Sequence, residues 1–182
     1  MTKNHKLTIA GFGGQGVMMI GQILAYAGSD EDLNSLWYPS YGPETRGGTA
    51  NCSVIISSEY INSPVFSKAD TVIVLNKPSL DKFINKVSDD GYLLYNSSLI
   101  NEEFDKNNIY GIPCNDIAQE LGNPKVLNMV MLGAFLELSN LFSDEVIFKV
   151  LEKILGESKK HLIEINKEAI NKGKDVIKKI RR

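Results

Sequence analysis

The sequence predicts an α/β fold: a Rossmann-like, mostly parallel sheet with helices on both faces, in a single domain over residues 1–182 that ends in C-terminal helices. Three observations carry this. Apolar strand-like runs alternate with helix-spaced segments along the chain. Thr71-Val72-Ile73-Val74-Leu75 is nearly all apolar and β-branched, the composition of a strand buried on both faces of a parallel sheet. A glycine-rich turn joins the first strand to the first helix. At 182 residues and 43% hydrophobic content, the chain is long enough to bury one sizeable core.

Taken in order, residues 6–10 form an apolar strand and residues 16–26 a helix. Residues 35–38 and 52–57 are the second and third strands, and residues 71–75 a central one. Lys77-Pro78-Ser79 opens a helix with Leu80, Phe83, Ile84 and Val87 along one face. Asp89-Asp90-Gly91 reads as a turn into a strand over residues 91–95. Residues 108–112 are the last strand, stopped by Pro113, and residues 115–121 a short helix ending at Gly122. Residues 126–141 are apolar nearly all round, the mark of a buried helix. Ser143, followed by Asp144 and Glu145, is an N-cap with acids in the first turn, and an amphipathic helix or helix pair runs on from there. An antiparallel exception is expected over residues 50–65, with a turn and edge strand at Glu59 to Pro64.

Several function classes recede. No apolar run reaches the roughly 18 residues of a spanning helix, and the N-terminus lacks a signal-peptide core, so a cytoplasmic protein without membrane contact is expected. The net charge is −2, and the lysine-dense tail is interspersed with Glu157, Glu164, Glu168 and Asp175, which reads as a solvated helix face and not as a nucleic-acid patch. Cys52 and Cys114 are the only thiols and lack Cys-x-x-Cys spacing, so this chain alone builds neither a cluster nor a zinc site. His5 and His161 read as solvated surface histidines.

Gly11-Phe12-Gly13-Gly14-Gln15-Gly16 fits G-x-G-x-x-G between a strand and a helix. Gly11, Gly13, Gly14, Gln15 and Gly16 are therefore candidate cofactor-binding residues, offering bare N–H groups and a helix N-terminus to phosphate oxygens. The acid expected about 20 residues on is missing, since the chain there reads Trp37-Tyr38-Pro39-Ser40. No Lys-Ser or Lys-Thr pair follows either, so this is not a P-loop. NAD or FAD, another phosphate-bearing ligand, and tight strand–helix packing without a ligand all remain open readings.

A second stretch, Ser40-Tyr41-Gly42-Pro43-Glu44-Thr45-Arg46-Gly47-Gly48-Thr49-Ala50-Asn51, combines a rigid point at Pro43 with permissive glycines. It reads as a surface crossover with Glu44 and Arg46 solvated. It also reads as a ligand loop whose guanidinium suits carboxylates or phosphates, or as an interface anchor with Trp37, Tyr38, Tyr41 and Arg46.

Both stretches, with Cys52, Ser63-Pro64 and Asn128-Met129-Val130, resemble the gamma subunits of 2-oxoacid:ferredoxin oxidoreductases, the pyruvate/ketoisovalerate oxidoreductase catalytic domain family, over essentially the whole chain. The loop is more similar to the 2-oxoglutarate or branched-chain 2-oxoacid branch than to the pyruvate branch; Thr45 stands where many relatives carry Met. The resemblance implies a complex that decarboxylates a 2-oxoacid on thiamine diphosphate and Mg, passes electrons through iron–sulfur clusters to ferredoxin, and releases an acyl-CoA. It places those cofactors mainly on other subunits, so no cofactor, metal or catalytic residue is expected on this chain, and the isolated chain is expected to be inactive. Its implied partners are the thiamine-binding and cluster-binding chains, and ferredoxin through the complex. Ser40, Tyr41, Pro43, Glu44, Arg46 and Asn51 are the expected interface or active-site loop, with Arg46 as its cation and Glu44 pairing it or capping backbone donors. The rival is a stand-alone nucleotide- or CoA-binding module without redox activity.

Overall fold

The computed structural model describes residues 4–41 and 49–182. The strands are β1 (Asn4–Phe12), β2 (Asn34–Tyr41), β3 (Thr49–Ser57), β4 (Ala69–Val74), β5 (Val87–Asn96) and β6 (Ile109–Ile112). The helices are α1 (Val17–Asp30), α2 (Lys77–Phe83), α3 (Cys114–Glu120), α4 (Leu127–Ser139), α5 (Asp144–Leu155) and α6 (Ile163–Ile180). The strands form one sheet in the order β2-β3-β1-β4-β5-β6. β1, β4, β5 and β6 are successively parallel, while β3 pairs antiparallel with both β1 and β2. The sheet is thus mostly parallel with one reversed strand, and that strand lies inside the sheet.

Helices cover the two faces unequally. One face carries the larger core: Leu7, Ile9, Val54, Ile56, Ile73 and Leu94 of the strands pack beneath α1, α4, α5 and α6. The other face is closed over its middle by α2, whose Leu80 and Phe83 meet Ala10, Val72, Val74 and Leu93. β4 follows from its sequence, because Thr71, Val72, Ile73 and Val74 are all fully buried, as a strand sandwiched between two layers requires.

α4 is the helix the others gather on. All its residues except Glu137 and Ser139 are buried, matching its lack of a polar stripe. Its closest neighbour is α6, and glycine makes the approach possible: a Cβ on Gly133 would lie 1.9 Å from Ile170 O, and one on Gly173 would lie 1.9 Å from Val130 O. The two backbones touch where a side chain would otherwise stand.

Three local expectations are corrected. The helix begun at Lys77 ends at Phe83 and tightens into a 3₁₀ turn over Ile84–Lys86, so Val87 belongs to β5. Asp89-Asp90-Gly91 is not a turn before a strand. It lies within β5, where the register jumps from Ala69 opposite Val87 to Thr71 opposite Tyr92, leaving Ser88 to Gly91 bulged against Asp70. Asn108 Nδ2 holds that bulge by donating to Gly91 O at 2.7 Å. Glu59 to Pro64 forms no strand; Ser57 Oγ accepts from Glu59 N at 3.0 Å, and the chain leaves the sheet.

His5 is likewise not a solvated residue. Its Nε2 lies 2.9 Å from Thr71 Oγ1, its ring meets Phe135 edge-on at 5.7 Å, and burial pushes its pKa below 6.5 despite the nearby Asp70 carboxylate. Among the described residues no helix is long and apolar enough to cross a membrane.

Because the α4–α6 contact is backbone on backbone, Gly173→Ala must push the helices apart. We expect a loss of about 1–3 kcal/mol of stability in chemical denaturation, and an unchanged midpoint would contradict this packing.

Candidate functional site at the carboxyl edge of the sheet

The carboxyl ends of β1, β4, β5 and β6 share one edge, the place where open α/β sheets present ligand-contacting groups. There the chain sets neutral amides and bare backbone. Gly14 (φ +92°) and Gly16 (φ +79°) take the left-handed conformation that lets β1 turn directly into α1. Gln15 brackets the turn: its Oε1 accepts from Phe12 N at 2.7 Å and from Asn76 Nδ2 at 2.9 Å, while its Nε2 donates to Leu75 O at 3.3 Å. Asn76 in turn caps α2 by accepting from Ser79 N at 3.0 Å.

The network continues along the edge. Asn96 donates to Leu75 O at 3.2 Å and to Asn115 Oδ1 at 2.7 Å, and its Oδ1 accepts from Cys114 N at 3.2 Å. Asn128 approaches from the start of α4 and donates to Gly16 O at 3.4 Å. A Cβ on Gly16 would lie 2.2 Å from Asn128 Nδ2, so only glycine fits there.

The predicted cofactor-binding residues therefore divide. Gly13 and Gly14 are exposed at the lip, with no atom within 4 Å of a Cβ built on either, and Gly16 opens α1 without a side-chain cap. Gly11 is buried inside the sheet, and Gln15 spends its amide on the bracket. Asn76, Asn96 and Asn115 were not singled out from the sequence. Their signal was present, since Asn76 and Asn96 each stand directly after an apolar run. Asn128 was quoted in the family motif, but nothing in its position in the sequence placed it on the glycine turn.

The second stretch begins and ends beside this turn. Tyr41 pairs with Ala50, and Thr49 pairs with Phe12, so both flanks of residues 42–48 reach the same edge as Gly13. Ser40 pairs with Asn51, which also pairs with Ala10 on its other side, and Tyr41 is 70% exposed. Pro43, Glu44 and Arg46 lie outside the described residues. The same topology removes the geometric basis of dinucleotide binding. The strand that would present the ribose-binding acid must neighbour β1, whereas here β3 intervenes and sets β2 two strand spacings, about 10 Å, away.

Neither thiol is available as a thiolate. Burial pushes Cys52 up to about 12, with its Sγ donating to Val17 O at 3.8 Å, and burial also pushes the fully enclosed Cys114 upward. Among the described residues no group of three His, Cys, Asp or Glu side chains could hold a metal ion. His5 enters β1 at the opposite end from the glycine turn. The amide network orients and hydrogen-bonds with neutral groups, and the charges beside it are already engaged: Lys77, at the start of α2, pairs with Asp81 and Glu102, and Asp116, at the start of α3, accepts from Ser98 Oγ at 2.9 Å.

Comparison with known proteins gives a consistent pattern. A family model described as pyruvate ferredoxin/flavodoxin oxidoreductase matches residues 6–176. The chain is 39% identical, over 92% of its length, to ketoisovalerate oxidoreductase subunit VorA of Methanothermobacter thermautotrophicus, and it spans only 35% of that relative. It is 35% identical to 2-oxoglutarate synthase subunit KorC of Methanocaldococcus jannaschii, covering 96% of this chain and 95% of that one. Among solved structures it resembles the gamma subunit of a keto/oxoacid ferredoxin oxidoreductase from Geobacter sulfurreducens, with TM-score 0.81, 28% identity and coverage of 96% and 99%. It also resembles 2-oxoglutarate:ferredoxin oxidoreductase from Magnetococcus marinus, bound to 2-oxoglutarate, coenzyme A and succinyl-CoA, with TM-score 0.86 and 26% identity over 97% of this chain and 31% of that one.

The Gln15–Asn76 bracket carries its own test. Asn76→Ala removes both the α2 cap and a bond to Gln15, and should cost about 1–3 kcal/mol of stability, with faster amide exchange across Gly13 to Gly16. Unaltered exchange at the turn would show that Asn76 does not hold it.

Proposed function

Because the chain belongs to the pyruvate ferredoxin/flavodoxin oxidoreductase family, we propose that it is the gamma subunit of a 2-oxoacid:ferredoxin oxidoreductase. In this role it takes part in converting a 2-oxoacid to an acyl-CoA while ferredoxin is reduced, and 2-oxoglutarate or a branched-chain 2-oxoacid is the substrate class. The single observation that carries the reading is the near end-to-end match to KorC, 95% of that protein at 35% identity. The VorA relative adds that the same module also occurs as about a third of a longer chain, at 35% of its length.

The site's chemistry agrees with a subordinate role. The network around the glycine turn is made of backbone amides and neutral side-chain amides, which position a substrate but neither abstract a proton nor carry an electron. Thiamine diphosphate with Mg, and the iron–sulfur clusters, belong in this reading to companion subunits, and the complex is a cytoplasmic one. On this chain Gly13, Gly14 and Gly16 face an anionic group, for which coenzyme A is the phosphate-bearing reactant of the reaction. Ser40, Tyr41, Pro43, Glu44, Arg46 and Asn51 serve in this reading at the subunit interface or the active-site approach, with Arg46 as the one guanidinium of that stretch.

Arg46→Ala in the assembled complex is the direct check. We expect intact assembly and a fall in kcat/KM for the 2-oxoacid or for coenzyme A of about tenfold or more, the loss of a charge-assisted contact. Normal turnover in an intact complex would remove the loop from the reaction.

A further inference from the structure

The two edges of the sheet are not alike. β6 is four residues long, has Tyr110 and Ile112 buried, and contacts α4 and α6. β2 is eight residues long, paired on one side only, and partly or fully exposed throughout. Every second residue of such a strand turns its N–H and C=O outward, a template for another chain. Proteins usually blunt an edge of this kind with charge, yet Asn-Ser-Leu-Trp-Tyr-Pro-Ser-Tyr has none; Pro39 removes one donor and is the only blunting device in it.

The surface beside the edge is aromatic. Tyr38 is 52% exposed, Tyr41 70% and Tyr26, on the adjoining α1, 58%. Between α1 and β2 runs a groove of about 270 Å³ lined by Gln22, Ala25, Tyr26, Ser29, Ser35 and Trp37, again without a charge. Ser35 Oγ and Trp37 Nε1 are buried and have no oxygen or nitrogen hydrogen-bond partner among the described residues; the weak acceptor Cys52 Sγ stands beside the indole. Uncharged, aromatic-rich surface with open backbone donors is the composition of an interface core.

We propose that the open edge of β2 is where an extended, uncharged segment of another subunit of the oxidoreductase joins the sheet, with Tyr26, Trp37 and Tyr38 receiving its side chains. This rests on the gamma-subunit reading. The occupant is argued from the relatives, in which this module is either a separate subunit or 35% of a longer chain, so that further polypeptide accompanies it in both. The absence of charge on β2 and in the groove sets the partner's chemistry: backbone pairing and apolar side chains, with association insensitive to salt.

Amide hydrogen exchange over residues 34–41 tests this, compared between the complex isolated through a tag on this chain and the full chain alone. The outward amides should exchange about a hundredfold more slowly in the complex. Tyr38→Lys should weaken assembly about tenfold without lowering the melting temperature of the chain alone, while Tyr38→Phe leaves assembly unchanged. Equal exchange in both states with the complex intact overturns the edge assignment and leaves the gamma-subunit reading standing. Failure of the chain to hold any thiamine-diphosphate-binding subunit defeats that reading and this proposal with it. Protection that rises with concentration in the chain alone assigns the edge to a second copy and overturns the proposal.

Discussion

The arrangement depends on the antiparallel ladder between β1 and β3, nine pairs from Asn4 opposite Ser57 to Phe12 opposite Thr49. Because β3 runs against β1 and β2, the chain leaving β2 and the chain leaving β1 emerge at the same edge. The glycine turn and the described flanks Tyr41 and Thr49, 25 or more positions away in sequence, thereby reach the same edge. The inserted strand also pushes β2 to the margin of the sheet, which removes it from the role it has in dinucleotide-binding folds and leaves its outer side open. Local geometry and quaternary opportunity thus follow from the same pairing.

What the edge contains limits what it does. A network of Gln15, Asn76, Asn96, Asn115 and Asn128 is satisfied largely within itself, so it holds backbone in place more than it reaches outward. Such a network is expensive to disturb, since each amide removed leaves a buried partner unpaired. Both thiols are enclosed, and the larger core lies on the face away from α2. The chain is built as a rigid frame for the glycine turn, and in our account the reactive groups are brought to it.

Much of this was legible beforehand, for identifiable reasons. β4 and α4 announced themselves because full burial leaves no room for polar residues, and Ser143 because a cap must supply an acceptor. The glycine turn was legible as a shape, but its amide bracket joins Gln15 to a residue 61 positions away, and no local pattern carries that. The bulge at Ser88 to Gly91 was missed because Asp-Asp-Gly has the chemistry of a turn, and only pairing with β4 makes it part of a strand. His5 was misplaced for the same reason: its proximity to the N-terminus says nothing about Thr71 and Phe135, which close over it.

The central claim is that this chain completes a multi-subunit oxidoreductase without carrying its redox chemistry. Omission and re-addition measure that directly, with 2-oxoacid-dependent, coenzyme A-dependent ferredoxin reduction followed in a complex reconstituted with and without this chain. The account predicts that the companion subunits alone are inactive, that the chain alone is inactive, and that mixing restores turnover. Full turnover by the companion subunits without it, or turnover by this chain alone, would contradict the account.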